Sequence, residues 1–134
     1  MIVVGTNVIA YLLLGGEKTP QARAVLQKDP VWVAPILWRS EFRNVLAYYI
    51  RQGTLVLTDA LQLMTEAELL FQGEEYHVES GQVLSLVSCS RCSAYDCEFI
   101  ALAEHLNIPL VTSDAQILAE FPDTAVSLNT FIST

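Results

Sequence analysis

Residues 93–114 read SAYDCEFIALAEHLNIPLVTSD, and the fold class is decided there. Ser93-Ala94-Tyr95-Asp96 fits a capping box with Asp in place of Glu or Gln, so a helix should run from Ala94 to Leu106. Phe99, Ile100 and Ala103 share one side of that helix with Asp96, while Glu98 and His105 face the other way. Pro109 to Thr112 is a short apolar run of strand type. Asp114 follows it at once, and Ala115 to Glu120 is helical again. A helix, a three- to five-residue apolar strand and another helix form the repeating unit of an α/β fold around a parallel sheet.

The same alternation extends outward in both directions. Toward the amino terminus, Ile2 to Val4 is a buried β-branched run, followed by a helix over Val8 to Leu14 with Thr6 or Asn7 as its cap and Gly15-Gly16 as its stop. Pro20 to Lys28 is a short helix and Val31 to Ala34 a second strand. Pro35 opens a long helix to Gln52, ended by Gly53. Asp59 to Phe71 is a helix capped by Thr58, Tyr76 to Val78 a brief strand, and Gln82 to Ser88 a helix. Beyond residue 114, Ala125 to Ser127 is a last strand and Asn129 to Ile132 a closing turn. The 134 residues contain no internal repeat or linker and make one α/β domain, residues 1–134.

Three carboxylates stand at the edges of apolar segments. On the 35–52 helix, Trp38, Phe42, Val45 and Tyr49 form a stripe. Glu41 lies about 60° from its centre, with no cation three or four residues away. Asp96 is either a cap or an inward-facing site group, or both. Asp114 is an N-cap or a ligand at the carboxyl end of a strand, where open parallel sheets place their sites. A buried carboxylate left bare is costly, so three of them brought to one sheet edge suggest a divalent-metal site. The end of the first strand offers a fourth such place, and it holds Gly5.

Composition bounds the remaining choices. Hydrophobic residues make up 52% and charged residues 16%, so some apolar side chains should remain outside as an oligomer or partner surface. The net charge of -8 and a pI near 4.5 exclude a broad basic face for nucleic acid. They leave room for a nucleic-acid enzyme whose bound Mg²⁺ offsets its own acids. Glu66, Glu68, Glu74, Glu75 and Glu79 crowd one stretch, read as a solvated helix face and loop or as a docking surface for a basic partner. The apolar start is neither a signal peptide nor a membrane span, which points to the cytoplasm. Cys89 and Cys92 have CxxC spacing, but zinc would need Cys97, His77 and His105 at unconvincing spacings, so buried free thiols are expected.

In their order, these segments resemble the PIN-domain ribonucleases and, within them, the bacterial VapC toxins. The resemblance rests on IVVGTNVIA at the start, a Glu early in the third helix (ILWRSEFRNVL), and most specifically on residues 93–114. It implies an acidic set at Gly5, Glu41, Asp96 and Asp114, with Asn7 and Thr112 as supporting polar positions. It further implies Mg²⁺ or Mn²⁺ as cofactor and RNA as substrate, cut by a metal-activated water, with a VapB-like antitoxin as partner and a homodimeric state. Hard cations prefer such oxygen ligands, so the chemistry is consistent. Arg39 and Arg43, with Arg51, are candidate RNA contacts or simply solvated helix residues.

Gly5 departs from the family, which has Asp there as a principal metal ligand. The chain is then either a natural degenerate member or a copy disabled so that a toxic nuclease could be produced. The first option makes it a non-catalytic module that binds RNA or an antitoxin, and an Asp codon at the source locus would remove that option. A phosphatase of the aspartyl-phosphate type needs a nucleophilic Asp after the first strand. Gly5 and Asn7 deny it one.

Overall fold

The computed structural model describes all residues, 1–134, and contains five strands and eight helices. In chain order these are β1 (Ile2–Val4), α1 (Thr6–Leu14), α2 (Thr19–Lys28), β2 (Trp32–Pro35), α3 (Trp38–Arg51), α4 (Leu57–Leu70) and β3 (Glu75–Tyr76). They continue with α5 (Ser80–Ser88), α6 (Ala94–Leu106), β4 (Leu110–Val111), α7 (Ala115–Glu120), β5 (Ala125–Val126) and α8 (Leu128–Ser133). The strands form one sheet in the order β3-β2-β1-β4-β5, and every pair is parallel.

The strands are short because each only has to cross a small core. Ile2, Val3 and Val4, Trp32 to Ala34, and Leu110 and Val111 are all buried, as expected of a sheet covered on both faces. From β1 the chain moves outward to β2 and β3, then returns to β4 and β5 on the other side. Right-handed crossovers assign α1–α4 to one face and α5–α7 to the other. In keeping with this, α1 packs on α2, α3 and α4, while α6 packs on α5 and across β1, β2 and β4. The direction of winding reverses between β1 and β4, and a crevice opens there beyond the strand ends. Gly5 N–H donates to Val111 O at 3.0 Å and locks the two strand ends at that point.

Several boundaries differ from the sequence reading, each for a local reason. The β2 strand runs on through Pro35 because Ile36 N–H donates to Tyr76 O, which delays the start of α3 to Trp38. The buried stripe of α3 is Trp38, Phe42 and Leu46; Tyr49 is exposed and Val45 half-buried. Thr6 and Asn7 do not cap α1. The helix begins at Thr6 with Gly5 at the cap position and no side-chain cap, which releases both polar side chains for the crevice. The α4 cap is Val56 rather than Thr58, and the closing turn is the helix α8. Gly15 has φ +76°, a conformation L side chains rarely adopt, and stops α1 as expected.

Two further expectations are corrected. Within the acidic stretch, Glu75 is a structural clamp. It accepts from Arg39 Nε at 2.6 Å, Arg39 Nη2 at 2.8 Å and Trp38 Nε1 at 2.8 Å, and Glu68 pairs with Arg39 as well. Arg39 is therefore committed to holding α3 against α4 and β3 and is a poor RNA contact. Cys92 and Cys97 are buried free thiols, but Cys89 is exposed. Burial pushes the Cys92 thiol up to about 11, so it is inert. The expected external apolar residues cluster along the end of α3 and the start of α4: Tyr48, Tyr49, Ile50, Val56, Leu57 and Leu61. No helix is long and apolar enough to cross a membrane.

Candidate metal centre

The crevice at the β1/β4 ends is an open pocket of about 380 Å³. Its walls include Gly5, Thr6 and Asn7 after β1, Glu41 and Asn44 on α3, Asp96 and Phe99 on α6, and Thr112 and Asp114 after β4. The three carboxylates singled out from sequence thus reach one pocket from three elements. None of them is paired with an arginine or lysine.

Each is held by a local device. Glu41 sits in the first turn of α3 and accepts the Thr6 hydroxyl at 2.7 Å. Burial raises its carboxyl above the usual range; the Thr6 bond opposes this, and Asp96 and Glu98 add to it. Asp96 completes the capping box of α6, its N–H donating to Ser93 Oγ at 3.1 Å, while its side chain lines the pocket. Burial and then the charge of Asp114 raise its carboxyl, against hydrogen bonds from Ser93. Asp114 caps α7, with Oδ1 accepting from Ile117 N–H at 2.9 Å, and its own N–H donates to Thr112 Oγ1 at 3.1 Å. Capping and site placement coexist for both aspartates.

The floor explains the two supporting positions. Asn7 Nδ2 donates to Thr112 Oγ1 at 3.2 Å, and Asn7 Oδ1 is buried with no partner. A Cβ added at Gly5 would lie 3.0 Å from that oxygen and 3.1 Å from Thr112 Oγ1. Gly5 itself has φ -70° and ψ 156°, open to any L residue. Nothing in the backbone calls for glycine there.

The donor set consists of carboxylate, amide and hydroxyl oxygens, which suits a hard divalent cation. The orphaned Asn7 oxygen beside the Gly5 gap adds an unfilled acceptor. However, no three His, Cys, Asp or Glu side chains stand close enough together to hold a metal ion as arranged. The chemistry fits, but Glu41, Asp96 and Asp114 line the pocket too far apart to form a ligand cluster. Convergence on one pocket is met; a ready-formed ligand cluster is not. Sequence reasoning missed Thr6 and Asn44. Thr6 was seen only as a cap, and Asn44 carries no charge to mark it.

The chain belongs to the PIN-domain family, whose model matches residues 2–123. It is similar to ribonuclease VapC3 of Pyrobaculum aerophilum, with 29% identity over 126 residues that cover 90% of this chain and 95% of that protein. Its fold is shared with PAE2754 from the same organism, at a TM-score of 0.78 and 18% identity over 98% of this chain and 93% of the other. It is also shared with a chain of a toxin-antitoxin complex from Klebsiella pneumoniae, at a TM-score of 0.69 and 13% identity over 96% and 98%.

The acids carry a stability signature. A carboxyl raised by the fold disfavours folding when charged, so Glu41 and Asp96 oppose stability at neutral pH. That opposition is relieved as pH falls through their raised values, fully so below about pH 4, where the unfolded groups protonate as well. Glu75 runs the other way. The hydrogen bond from Arg39 lowers its carboxyl, so its contribution is present above the unfolded value and is lost as pH falls through the lowered one. Glu41→Gln, which can still accept from Thr6, should therefore stabilise the metal-free fold at neutral pH by about 1 kcal/mol. The gain should vanish in acid. Urea denaturation at the two pH values measures it, and a variant less stable than the parent at neutrality would contradict the assignment.

Proposed function

We propose that this chain is a VapC-like endoribonuclease scaffold that hydrolyses RNA phosphodiester bonds with Mg²⁺ or Mn²⁺, impaired in this copy by Gly5. The observation that carries the reading is the meeting of Glu41, Asp96 and Asp114 in one pocket with no cation paired to any of them. Asp96 and Asp114 would hold the ion, with Glu41 as the third group. A bound divalent ion supplies a more acidic water and positive charge against the phosphate. The chain's own residues do the positioning. Thr6 fixes the Glu41 carboxylate, Ser93 and the α6 start orient Asp96, and the Asn7–Thr112 pair sets the floor against which an acid at position 5 would rest.

An antitoxin partner agrees with the family and with the charge of -8, which suits a basic or arginine-bearing arm reaching the acidic pocket. The exposed apolar residues at the α3–α4 turn are consistent with a homodimer. A cytoplasmic location agrees with RNA as substrate. Gly5 also favours a second reading, a natural non-catalytic module that binds RNA or an antitoxin. The test is cleavage of end-labelled RNA by Gly5→Asp, with Gly5→Asp/Asp96→Asn as control for contaminating nuclease. Cutting by the first and not the second supports the enzyme; no cutting with either ion overturns it.

A further inference from the structure

Between β4 and α7 the chain passes through Thr112, Ser113 and Asp114 without regular structure. Thr112 is well anchored. Its N–H donates to Val126 O at 3.1 Å, and its Oγ1 accepts from Asn7 Nδ2 and from the Asp114 N–H. Ser113 has no such support. Neither its N–H nor its carbonyl forms a hydrogen bond, and its one bond joins its Oγ to the Tyr11 hydroxyl at 2.8 Å.

Asn7 and Tyr11 lie four residues apart on α1, so one face of that helix holds both residues that precede Asp114. Tyr11 is itself held in place. Its carbonyl accepts from Thr19 Oγ1, and Lys18 Nζ stands 5.1 Å from the centre of its ring. Neither Tyr11 nor Ser113 lines the acidic pocket, so any effect on it passes through Asp114.

Asp114 has little slack to spare. Its Oδ1 is committed to the Ile117 N–H as the cap of α7, which leaves Oδ2 for the pocket. A ligand held more than about 0.5 Å from its place grips an ion poorly, so the segment that carries it must be fixed. Here side chains do the fixing, because the Ser113 backbone does none. We infer that Tyr11 is a positioning residue: its hydroxyl, acting through Ser113, holds Asp114 at the pocket from the α1 side. The inference rests on the metal-dependent reading above and adds the group that keeps one of its ligands in place.

Amide hydrogen exchange on the unmodified, metal-free chain reads the seat of Asp114 directly. Tyr11→Phe keeps the ring and the Lys18 contact and removes the hydroxyl alone. It should speed exchange several-fold at Ile117, whose N–H rests on Asp114 Oδ1, and leave Asp96, whose N–H rests on Ser93 Oγ, unchanged. A general loss of stability would speed both. Ser113→Ala should repeat the effect, and the double variant should add nothing, since both changes remove one bond. Ser113→Thr, which keeps a hydroxyl, should match the parent. In the Gly5→Asp protein, Tyr11→Phe should weaken Mn²⁺ binding, read from the electron paramagnetic resonance of the free ion, by roughly three- to tenfold. That is below the loss of about 10- to 100-fold typical of a group bonded directly to a ligand. Unchanged Ile117 exchange, or Mn²⁺ affinity that ignores Tyr11→Phe, would overturn the role of Tyr11 and leave the metal reading standing. If the Gly5→Asp protein bound no Mn²⁺ even with Tyr11 intact, the metal reading would fall and Tyr11 would support only a helix cap.

Discussion

Gly5→Asp should turn this chain into a Mg²⁺-dependent ribonuclease, raising RNA cleavage on the order of a hundred- to a thousandfold, the scale on which one preorganised group at a reacting centre acts. The site is prepared for the change. Position 5 has an ordinary extended backbone, and the atoms a new Cβ would meet belong to the side chains of Asn7 and Thr112. At 3.0 Å the Asn7 oxygen must yield by a few tenths of an ångström, and a turn of its amide does more than make room. It would aim Nδ2 at the new carboxylate and let Oδ1 accept the Thr112 hydroxyl, giving the buried orphan a partner. Asp is also among the best residues for a helix N-cap, the place Gly5 now holds in α1 without a side chain. With Mg²⁺ bound to offset the added charge, restored cleavage should therefore come without loss of stability. A thermal melt in Mg²⁺ lower than the parent's by several degrees would contradict this account of the pocket even if activity appeared.

Trp38→Ala should cost about 3–5 kcal/mol, the range for deleting a large buried aromatic. Trp38 is fully buried, its ring centroid 4.7 Å from that of Phe71 and 6.3 Å from that of Phe42. Its indole N–H shares Glu75 Oε2 with Arg39, so the substitution opens a cavity and loosens the clamp joining α3 to β3. The same helix presents Glu41 three residues on. Urea denaturation measures the loss, and a cost under about 1 kcal/mol would mean that α3 is held chiefly elsewhere.

What the sequence made legible follows from where the signals sit. The strands β1 and β4 announce themselves because both faces are buried, and α6 because its cap and its apolar side agree. Glu41, Asp96 and Asp114 stood out because each combined an apolar neighbourhood with no local cation, and all three line the pocket. The Arg39 clamp was invisible because its partners lie 29 and 36 residues away. The Thr6–Glu41 and Asn7–Thr112 bonds span 35 and 105 residues for the same reason. Capping rules misplaced Thr6 because a hydroxyl before an apolar run fits a cap as well as it fits a distant carboxylate. Tertiary contact chose between the two.

Mn²⁺ diffused into crystals of the Gly5→Asp protein and located by its anomalous scattering tests the account most directly. A single peak should lie between the carboxylates of residue 5, Asp96 and Asp114, weakened or missing in the Gly5 parent. An empty pocket in the restored protein, with Mn²⁺ scattered over surface acids, would remove the ground on which a hydrolytic role is assigned.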